Sequence, residues 1–436
     1  METLLSGAKP EDSGTPVSTA QAATAVNAPP VVGAPTSSAA DPTTGAVTGK
    51  VVATDPEGKK LSYAVVAPPA EGGKLVLDNK TGAFTFTPTA AQRLIAGLGG
   101  AGFVEFGVTV SDGVKANNQV ATLHVTIAPT PITDSGVLAT GKNVTGVVAT
   151  DTRAYLTNYD DKTITVVDTI HRAVLGTIQL EAEPISAVLA PDGKKLYVSL
   201  DYTDHVAVID TTTGAVASTF DLKERYPVSV AVSPNGKTLY VTTLTYDKNG
   251  NQVASVTKVS TASGKVTGTV KLPGAIPPTF YDIEVAADGK KVYVIADMPT
   301  DDPDVVLSGL YVFSSSSSSA KVIAAGTYFT DVELSPDGTR AYLNEVGEGT
   351  ISGIDTKTYK VVGTIDTYAE TLGGLAINGD GSVLLAVDTV NNTVVAIDTR
   401  TAAVLTTTPV TATTTDFYPP CGAFAGRDGA VLLRRR

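Results

Sequence analysis

The segment PDGKKLYV at residues 191–198 joins an Asp-Gly turn to a strand of Leu, Tyr and Val, and it recurs along the chain. Asp-Gly and Asn-Gly accept the positive φ angles of tight hairpins, so each copy predicts two antiparallel strands joined by a turn. The turns follow one another at intervals of 43, 53, 49, 43 and 48 residues. The further copies are PNGKTLYV (234–241), ADGKKVYV (287–294), PDGTRAYL (336–343), GDGSVLLA (379–386) and RDGAVLLR (427–434).

A third strand, usually ending in Asp-Thr, follows each hairpin, as in HVAVIDT at 205–211, and most units add a short fourth strand. In the fourth unit, a run of serines at 314–319 replaces Asp-Thr, and we expect it to form a loose loop between the outer strands. Four antiparallel strands every ~40 to 50 residues are typical of a propeller blade and not of a helical solenoid. The sequence therefore predicts an all-β protein with a β-propeller.

The number of units predicts seven blade positions with an incomplete last blade. Six units between residues 144 and 408 contain their expected strands, and residues 421–433 begin a seventh before the chain stops at Arg436. Pairing the chain ends removes exposed sheet edges, so we expect residues 133–140 to join the C-terminal blade.

The tetrads YLTN (155–158), YVSL (197–200) and YVTT (240–243) resemble the YVTN family of β-propellers, a WD40-like group known from bacterial and archaeal surface and exported proteins. The resemblance covers about 141–433. It implies an extracellular or cell-surface location, although residues 1–14 contain no ordinary secretory signal. The last two hairpins depart from the family pattern, because Leu-Leu stands there in place of Tyr-Val.

The N-terminal part divides by composition. Residues 1–40 are rich in Ala, Pro, Ser and Thr, and we expect a disordered leader. Short alternating runs over 41–128 predict an immunoglobulin-like β-sandwich, 129–132 a linker, and 133–436 the propeller. The segments VATDPEG (52–58), GAFTFTP (82–88) and VTVSDG (108–113) resemble the immunoglobulin-like, cadherin-like repeats, of the VCBS type, of large bacterial exported proteins.

In such repeats the turn that corresponds here to residues 55–59 can help to bind calcium, so the resemblance implies a calcium site formed by Asp55, Glu57 and Asp112. Lys59 places a cation where an oxygen ligand is expected. The alternative is that these carboxylates are ordinary turn residues that accept local backbone hydrogen bonds.

Alignment of the innermost strands on their turns isolates four carboxylates, Asp282 and Glu284 in one blade and Asp331 and Glu333 in the next. Side chains alternate across a strand, so all four are expected on the same relative face near the central channel. They can bind a cation or a basic ligand there. The alternatives are that they reach solvent at the channel mouth or pair with a lysine. The recurring aspartates at the ends of the third strands are instead interpreted as Asx turns, and the recurring tyrosines as packing between blades.

Composition limits the partners. The chain of 436 residues has 32 Lys and Arg against 44 Asp and Glu, a net charge of -12, so we expect no nucleic-acid partner. No run of 18 apolar residues predicts a membrane span, and the single cysteine, Cys421, cannot form an intramolecular disulfide. The three histidines are scattered, and no nucleophile elbow or phosphate loop is present.

The sequence thus favours a non-catalytic binding or scaffold protein of an exported or cell-surface type. In this hypothesis the propeller presents a protein- or glycan-binding face and the immunoglobulin-like domain acts as a spacer. The alternative, by analogy of fold alone, is a lactonase-like hydrolase or quinone-dependent dehydrogenase-like enzyme that uses the channel carboxylates with a divalent metal. No cofactor other than calcium is expected.

Overall fold

The computed structural model describes residues 27–67, 72–97, 102–129, 141–150, 152–275, 280–298, 307–369, 371–409, 423–425 and 431–433. The predicted leader up to residue 26 and the predicted seventh-blade strand at 133–140 lie outside the described residues.

The N-terminal domain is an immunoglobulin-like β-sandwich with one helix. Its sheets have the strand orders β2-β3-β7-β6 and β5-β8-β9, and β1 pairs with β4. Alternate residues of the two sheets, among them Phe86, Val108 and Leu123, are buried between them. The elements are β1 (Val31–Val32), β2 (Thr36–Ser37), β3 (Val47–Lys50), β4 (Ala53–Thr54), β5 (Ser62–Val65), β6 (Lys74–Leu77), β7 (Ala83–Thr87), α1 (Ala90–Gly97), β8 (Phe103–Ser111), a 3-10 turn (Lys115–Asn117) and β9 (Gln119–Thr126).

Two parts of this domain differ from the sequence-based expectation. The end of the expected leader forms β1 and β2, which pair with β4 and β3. Backbone hydrogen bonds along a sheet edge order these residues without a run of large apolar side chains. The helix α1 was not predicted, and neither was β5.

The propeller begins with three complete blades of four antiparallel strands, each in simple sequential order from the channel outward. Blade 1 contains β10 (Val144–Ala149), β11 (Arg153–Asn158), β12 (Thr163–Asp168) and β13 (Ala173–Gln179); blade 2 contains β14 (Pro184–Leu189), β15 (Lys195–Leu200), β16 (His205–Asp210) and β17 (Ala215–Asp221); blade 3 contains β18 (Tyr226–Val232), β19 (Thr238–Tyr246), β20 (Gln252–Ser260) and β21 (Val266–Lys271).

Three further complete blades and a two-stranded sheet follow. Blade 4 contains β22 (Phe280–Val285), β23 (Lys291–Met298), β24 (Leu307–Ser314) and β25 (Lys321–Thr327); blade 5 contains β26 (Phe329–Leu334), β27 (Arg340–Glu345), β28 (Thr350–Asp355) and β29 (Val361–Asp366); blade 6 contains β30 (Leu372–Ile377), β31 (Val383–Asp388), β32 (Thr393–Asp398) and β33 (Ala403–Pro409); the last sheet contains β34 (Ala423–Ala425) and β35 (Val431–Leu433).

The innermost strands form a closed ring. Each innermost strand from β10 to β30 contacts the innermost strand of the next blade, and β34 contacts both β30 and β10. The C-terminal hairpin therefore occupies a seventh blade position, which confirms the predicted seven-bladed propeller. In the described residues this last blade has two strands.

The recurring tyrosines pack between blades, as predicted. Each lies on the second strand of its blade, is at most 7% exposed and contacts apolar residues of the following blade. Burial of these rings removes water from the joints between blades, which is the main favourable contribution to ring stability. The five residues are Tyr155, Tyr197, Tyr240, Tyr293 and Tyr342.

The turn residues also act as predicted. Asp210 Oδ1 accepts a hydrogen bond from the backbone N–H of Thr212 at 2.8 Å, and Asp168, Asp355 and Asp398 form the same Asx turn. Thr211 Oγ1 then donates to the carbonyl of Gly193 at 2.6 Å, which ties this turn to the Asp-Gly hairpin.

The serine run forms the loop between β24 and β25, as expected, but the loop is not loose. Lys258 of blade 3 donates to the carbonyls of Ser315 and Ser317, each at 2.7 Å. The serine loop is therefore held against the neighbouring blade.

Candidate functional site

The structure brings the four predicted carboxylates together beside the channel. Asp282 and Glu284 lie on β22, and Asp331 and Glu333 lie on β26, the innermost strand of the next blade. All four side chains are half-buried, and they alternate with fully buried apolar residues such as Val332. The period of two along each strand explains why they share a face.

Each carboxylate accepts a hydrogen bond from the backbone of the following blade. Asp282 Oδ2 lies 3.2 Å from the Val332 N–H, and Glu284 Oε2 lies 2.9 Å from the Leu334 N–H. Asp331 Oδ2 and Glu333 do the same one blade later, on Leu375 (2.5 Å) and Ile377. The innermost strand of a blade has an unpaired edge, so these side chains satisfy backbone donors that no further strand reaches.

Blade 2 makes the same kind of contact with a neutral side chain. Ser186 occupies the position of Asp282 relative to the turn, and its Oγ accepts from the Val230 N–H of blade 3 at 3.4 Å. The hydrogen bond from a side-chain oxygen to the backbone of the next innermost strand thus uses a neutral hydroxyl in blade 2 and carboxylates in blades 4 and 5.

Burial and mutual repulsion raise the pKa values of the cluster. Burial is the largest cause for all four groups, and together with the neighbouring charges it raises the pKa of Glu333 to about 8. The negative charge of Asp282 contributes to the raised pKa of Glu333, and the charge of Glu333 does the same for Glu284. The backbone N–H donors act in the opposite direction because they favour the ionised form. Asp282 and Asp331 also hydrogen-bond each other, which requires a proton on one of them. The cluster can therefore hold a proton near neutral pH.

The geometry does not present a ready metal site. In the part of the chain that the structure describes, no group of three or more His, Cys, Asp or Glu side chains is arranged to hold a metal ion. A cation at either predicted site would require the carboxylates to give up part of their present hydrogen bonding.

The predicted calcium residues of the N-terminal domain lie around Asn27. Asp112 accepts from the Asn27 side-chain amide, and Glu57 Oε1 accepts from the Ala28 N–H at 3.4 Å. Asp55 Oδ1 caps its own turn by accepting from the N–H of Glu57 and of Lys59, each at 2.9 Å.

One carboxylate oxygen of these three residues takes no part in the turn hydrogen bonds. Asp55 Oδ2 is buried and has no hydrogen-bond partner among the described residues. The Lys59 ammonium donates to the Asn27 side-chain oxygen, so a cationic side chain does enter this region. The carboxylates act mainly as turn acceptors, and calcium binding stays a prediction.

Sequence reasoning missed a group of exposed tyrosines. They lie outside the repeated column, either in the segments between the second and third strands of a blade or between consecutive blades (Tyr202, Tyr368), or at the strand ends that border such segments (Tyr226, Tyr246). These segments emerge at the propeller face opposite the Asp-Gly turns, because the strands of each blade are antiparallel and sequential. We call it the tyrosine face; its exposed residues are Tyr202 (83% exposed), Tyr226 (39%), Tyr246 (58%) and Tyr368 (83%).

Two of these rings form a pair on blade 3. Tyr226 and Tyr246 lie edge to face, with centroids 6.3 Å apart and planes at 84°. Gln252 Nε2 donates to the Tyr246 hydroxyl at 3.2 Å. Tyr202, on blade 2, lies on the same face of the neighbouring blade. The position of these tyrosines outside the repeat was the signal that could have identified them.

Three comparisons with known proteins agree with this architecture. The sequence profile of the bacterial cadherin-like domain matches residues 27–129. The chain is 31% identical over 293 residues to the seven-bladed beta-propeller protein Rv1057 of Mycobacterium tuberculosis, a match over 60% of this chain and 71% of that protein. Among solved structures, the hydrazine synthase of Kuenenia stuttgartiensis has a TM-score of 0.56 at 16% identity, covering 70% of this chain and 98% of that chain. This last similarity concerns the fold alone.

None of the described helices has the length and apolar character that crossing a bilayer requires.

Proposed function

Because the chain belongs to the family of seven-bladed β-propeller proteins that includes Rv1057, we propose that it is a non-catalytic binding protein of the exported or cell-surface type, with the tyrosine face as its binding surface. The observation that carries this proposal is the solvent-exposed pair of Tyr226 and Tyr246, with Tyr202 on the adjacent blade. Tyrosine combines a large apolar ring with a polar hydroxyl, which is why it is enriched in binding hot spots.

The channel carboxylates support the non-catalytic part of the proposal. One oxygen of each carboxylate accepts a hydrogen bond from a backbone N–H of the next blade, so the cluster joins neighbouring blades. A general acid or base acts through an oxygen that faces the substrate, and in Asp282 both oxygens accept backbone hydrogen bonds, Oδ1 from Ile283 at 2.8 Å and Oδ2 from Val332 at 3.2 Å.

A protein ligand fits the tyrosine face better than a glycan. The paired rings of Tyr226 and Tyr246 are flanked along the chain by charged loop residues, Glu224 before Tyr226 and Asp247 after Tyr246. An aromatic centre with a polar rim is typical of protein interfaces.

The test measures binding of the labelled full chain to the envelope fraction of the source organism. We expect saturable binding that protease treatment of the fraction abolishes and periodate oxidation of its glycans leaves intact. The double variant Tyr226→Ser/Tyr246→Ser should lose at least about tenfold in affinity, because hot-spot residues contribute about 2 kcal/mol or more. Ile170→Ser is the matched control, since Ile170 is 64% exposed in a turn on the opposite face.

Three outcomes would contradict the proposal in different ways. Equal affinity of the tyrosine variant and the wild type would exclude the tyrosine face. Loss of binding after periodate but not after protease would replace the protein ligand by a glycan. Absence of saturable binding would remove the binding function altogether.

A further inference from the structure

Helix α1 is fixed to the N-terminal domain at both the helix start and its side. The Gln92 N–H donates to Thr89 Oγ1 at 3.0 Å, while the Thr89 N–H donates to Gln92 Oε1 at 2.9 Å, a reciprocal cap. Arg93 donates to the carbonyls of Thr43 at 2.6 Å and Ala128 at 3.2 Å. The helix therefore moves as part of that domain.

This helix touches the propeller at blade 6. Ile95 packs against a cluster of four buried side chains on one face of the blade. Leu405, on the outermost strand of the same blade, also lies against this cluster. The four residues belong to β31 and β32: Val383, Leu385, Val394 and Ala396.

The same positions of blade 2 face another blade. Tyr197 and Val208 are register partners in blade 2, as Leu385 and Ala396 are in blade 6. In blade 2, Tyr197, Val206 and Val208 pack against Val230, Leu239 and Val241 of blade 3. In blade 6, Ile95 of the N-terminal domain packs against the equivalent positions.

Among the described residues of the last blade, β34 lies against the inner part of blade 6. It contacts β30 and β31, the two innermost strands. The packing tyrosine of the five preceding blades is also replaced at this position by Leu385. A smaller side chain stands here, in the cluster against which Ile95 of the helix packs.

We propose that α1 is an intramolecular docking element that covers the face of blade 6 equivalent to the one by which blade 2 packs against blade 3. The N-terminal domain is then a structural part of ring closure and not an independent spacer. This inference goes beyond the proposed binding function and does not depend on it.

The test is hydrogen exchange on the full chain carrying Ile95→Asp. A buried charge at this contact should release α1 from blade 6, and amide exchange in β31 and β32 should accelerate about three- to tenfold. Exchange in β8 and β9 should stay at the wild-type rate. Ile95→Leu should retain slow exchange, and Val120→Asp is the control, an exposed valine of the same domain outside the cluster.

The reciprocal variant works from the propeller side. Leu405→Ser should accelerate exchange of the α1 amides while leaving β8 and β9 unchanged. Ile95→Asp could unfold the N-terminal domain, which would appear as fast exchange in β8 and β9. In that case the exchange of α1 in Leu405→Ser tests the proposal instead. Wild-type exchange of β31 and β32 in a folded Ile95→Asp variant, or of α1 in Leu405→Ser, would overturn the proposal.

Discussion

Blades 2 and 3 are joined at the channel by a serine, whereas blades 4, 5 and 6 are joined by acids at the same position. Ser186 Oγ accepts the Val230 N–H at 3.4 Å, and Asp282 Oδ2 accepts the Val332 N–H at 3.2 Å. A hydroxyl is thus sufficient for the bond. The extra charge adds a desolvation cost that the serine does not have, and the raised pKa of Glu333 reflects that cost. The strength of the contacts between blades 4, 5 and 6 should therefore depend on pH, and that of the contact between blades 2 and 3 should not.

The largest expected effect is a loss of stability as the pH rises. Glu333 has its pKa raised from 4.5 to about 8 in the folded protein, so the native state binds more protons than the unfolded state between these values. The stabilisation is fully present below about pH 4.5 and is lost as the pH rises through about 8. We expect the free energy of unfolding to fall by about 2 kcal/mol over this range, after allowance for partial solvent access.

Urea titrations followed by tyrosine fluorescence can measure this, since the chain has no tryptophan. His171 needs a control, because Asp168 raises its pKa and its contribution also fades with rising pH. The variant His171→Asn should keep the slope that the cluster produces. A flat profile between pH 5 and 8 would contradict the proposed protonation of the channel.

Replacing two of the four channel carboxylates by amides should reduce the dependence of stability on pH. The double variant Asp331→Asn/Glu333→Gln keeps an acceptor oxygen at each position but loses both charges, so we expect a melting temperature about 4 to 8 °C above the wild type at pH 8 and little change at pH 5. Glu348→Gln removes one exposed charge from the same blade and serves as control. A lower melting temperature at pH 8 would show that the ionised cluster is stabilised by a bound cation instead.

Removal of the serine bond between blades 2 and 3 should lower the free energy of unfolding only slightly, and by the same amount at each pH. Ser186→Ala removes the side-chain acceptor for the Val230 N–H, and the long bond suggests a cost of about 0.5 kcal/mol at both pH 5 and pH 8. Ser318→Ala, in the exposed part of the serine loop, is the matched control. A loss that grows with pH would mean that blades 2 and 3 are coupled to the acidic cluster.

The fold could be predicted from sequence because its signals are local. The Asp-Gly turns and the period of two along each strand determined the blades, and they also placed Asp282 and Glu333 on the channel face. What the carboxylates bind there could not be predicted, because the Val332 and Leu375 N–H groups belong to other blades. The strands β1 and β2 have two residues each, too few for an alternating pattern to appear, and the contact of Ile95 with blade 6 depends on how two domains pack.

The smallest expected effect concerns the turn carboxylates of the N-terminal domain, which differ from the channel acids in being tied by local turns. Asp55 Oδ2 lacks a partner among the described residues, whereas the Lys59 ammonium donates to the Asn27 side chain, which itself donates to Asp112. Calcium should compete with that ammonium, whose charge already acts on Asp112. Extracellular calcium modules bind with Kd values of about 10⁻⁴ to 10⁻³ M, so about 5 mM calcium should stabilise this domain by about 1 kcal/mol.

Lys59→Glu should increase the shift because a carboxylate replaces the cation, and Lys80→Glu, in another exposed turn, should not. If calcium moves the melting curve of neither the wild type nor Lys59→Glu, then Asp55, Glu57 and Asp112 serve the turns alone.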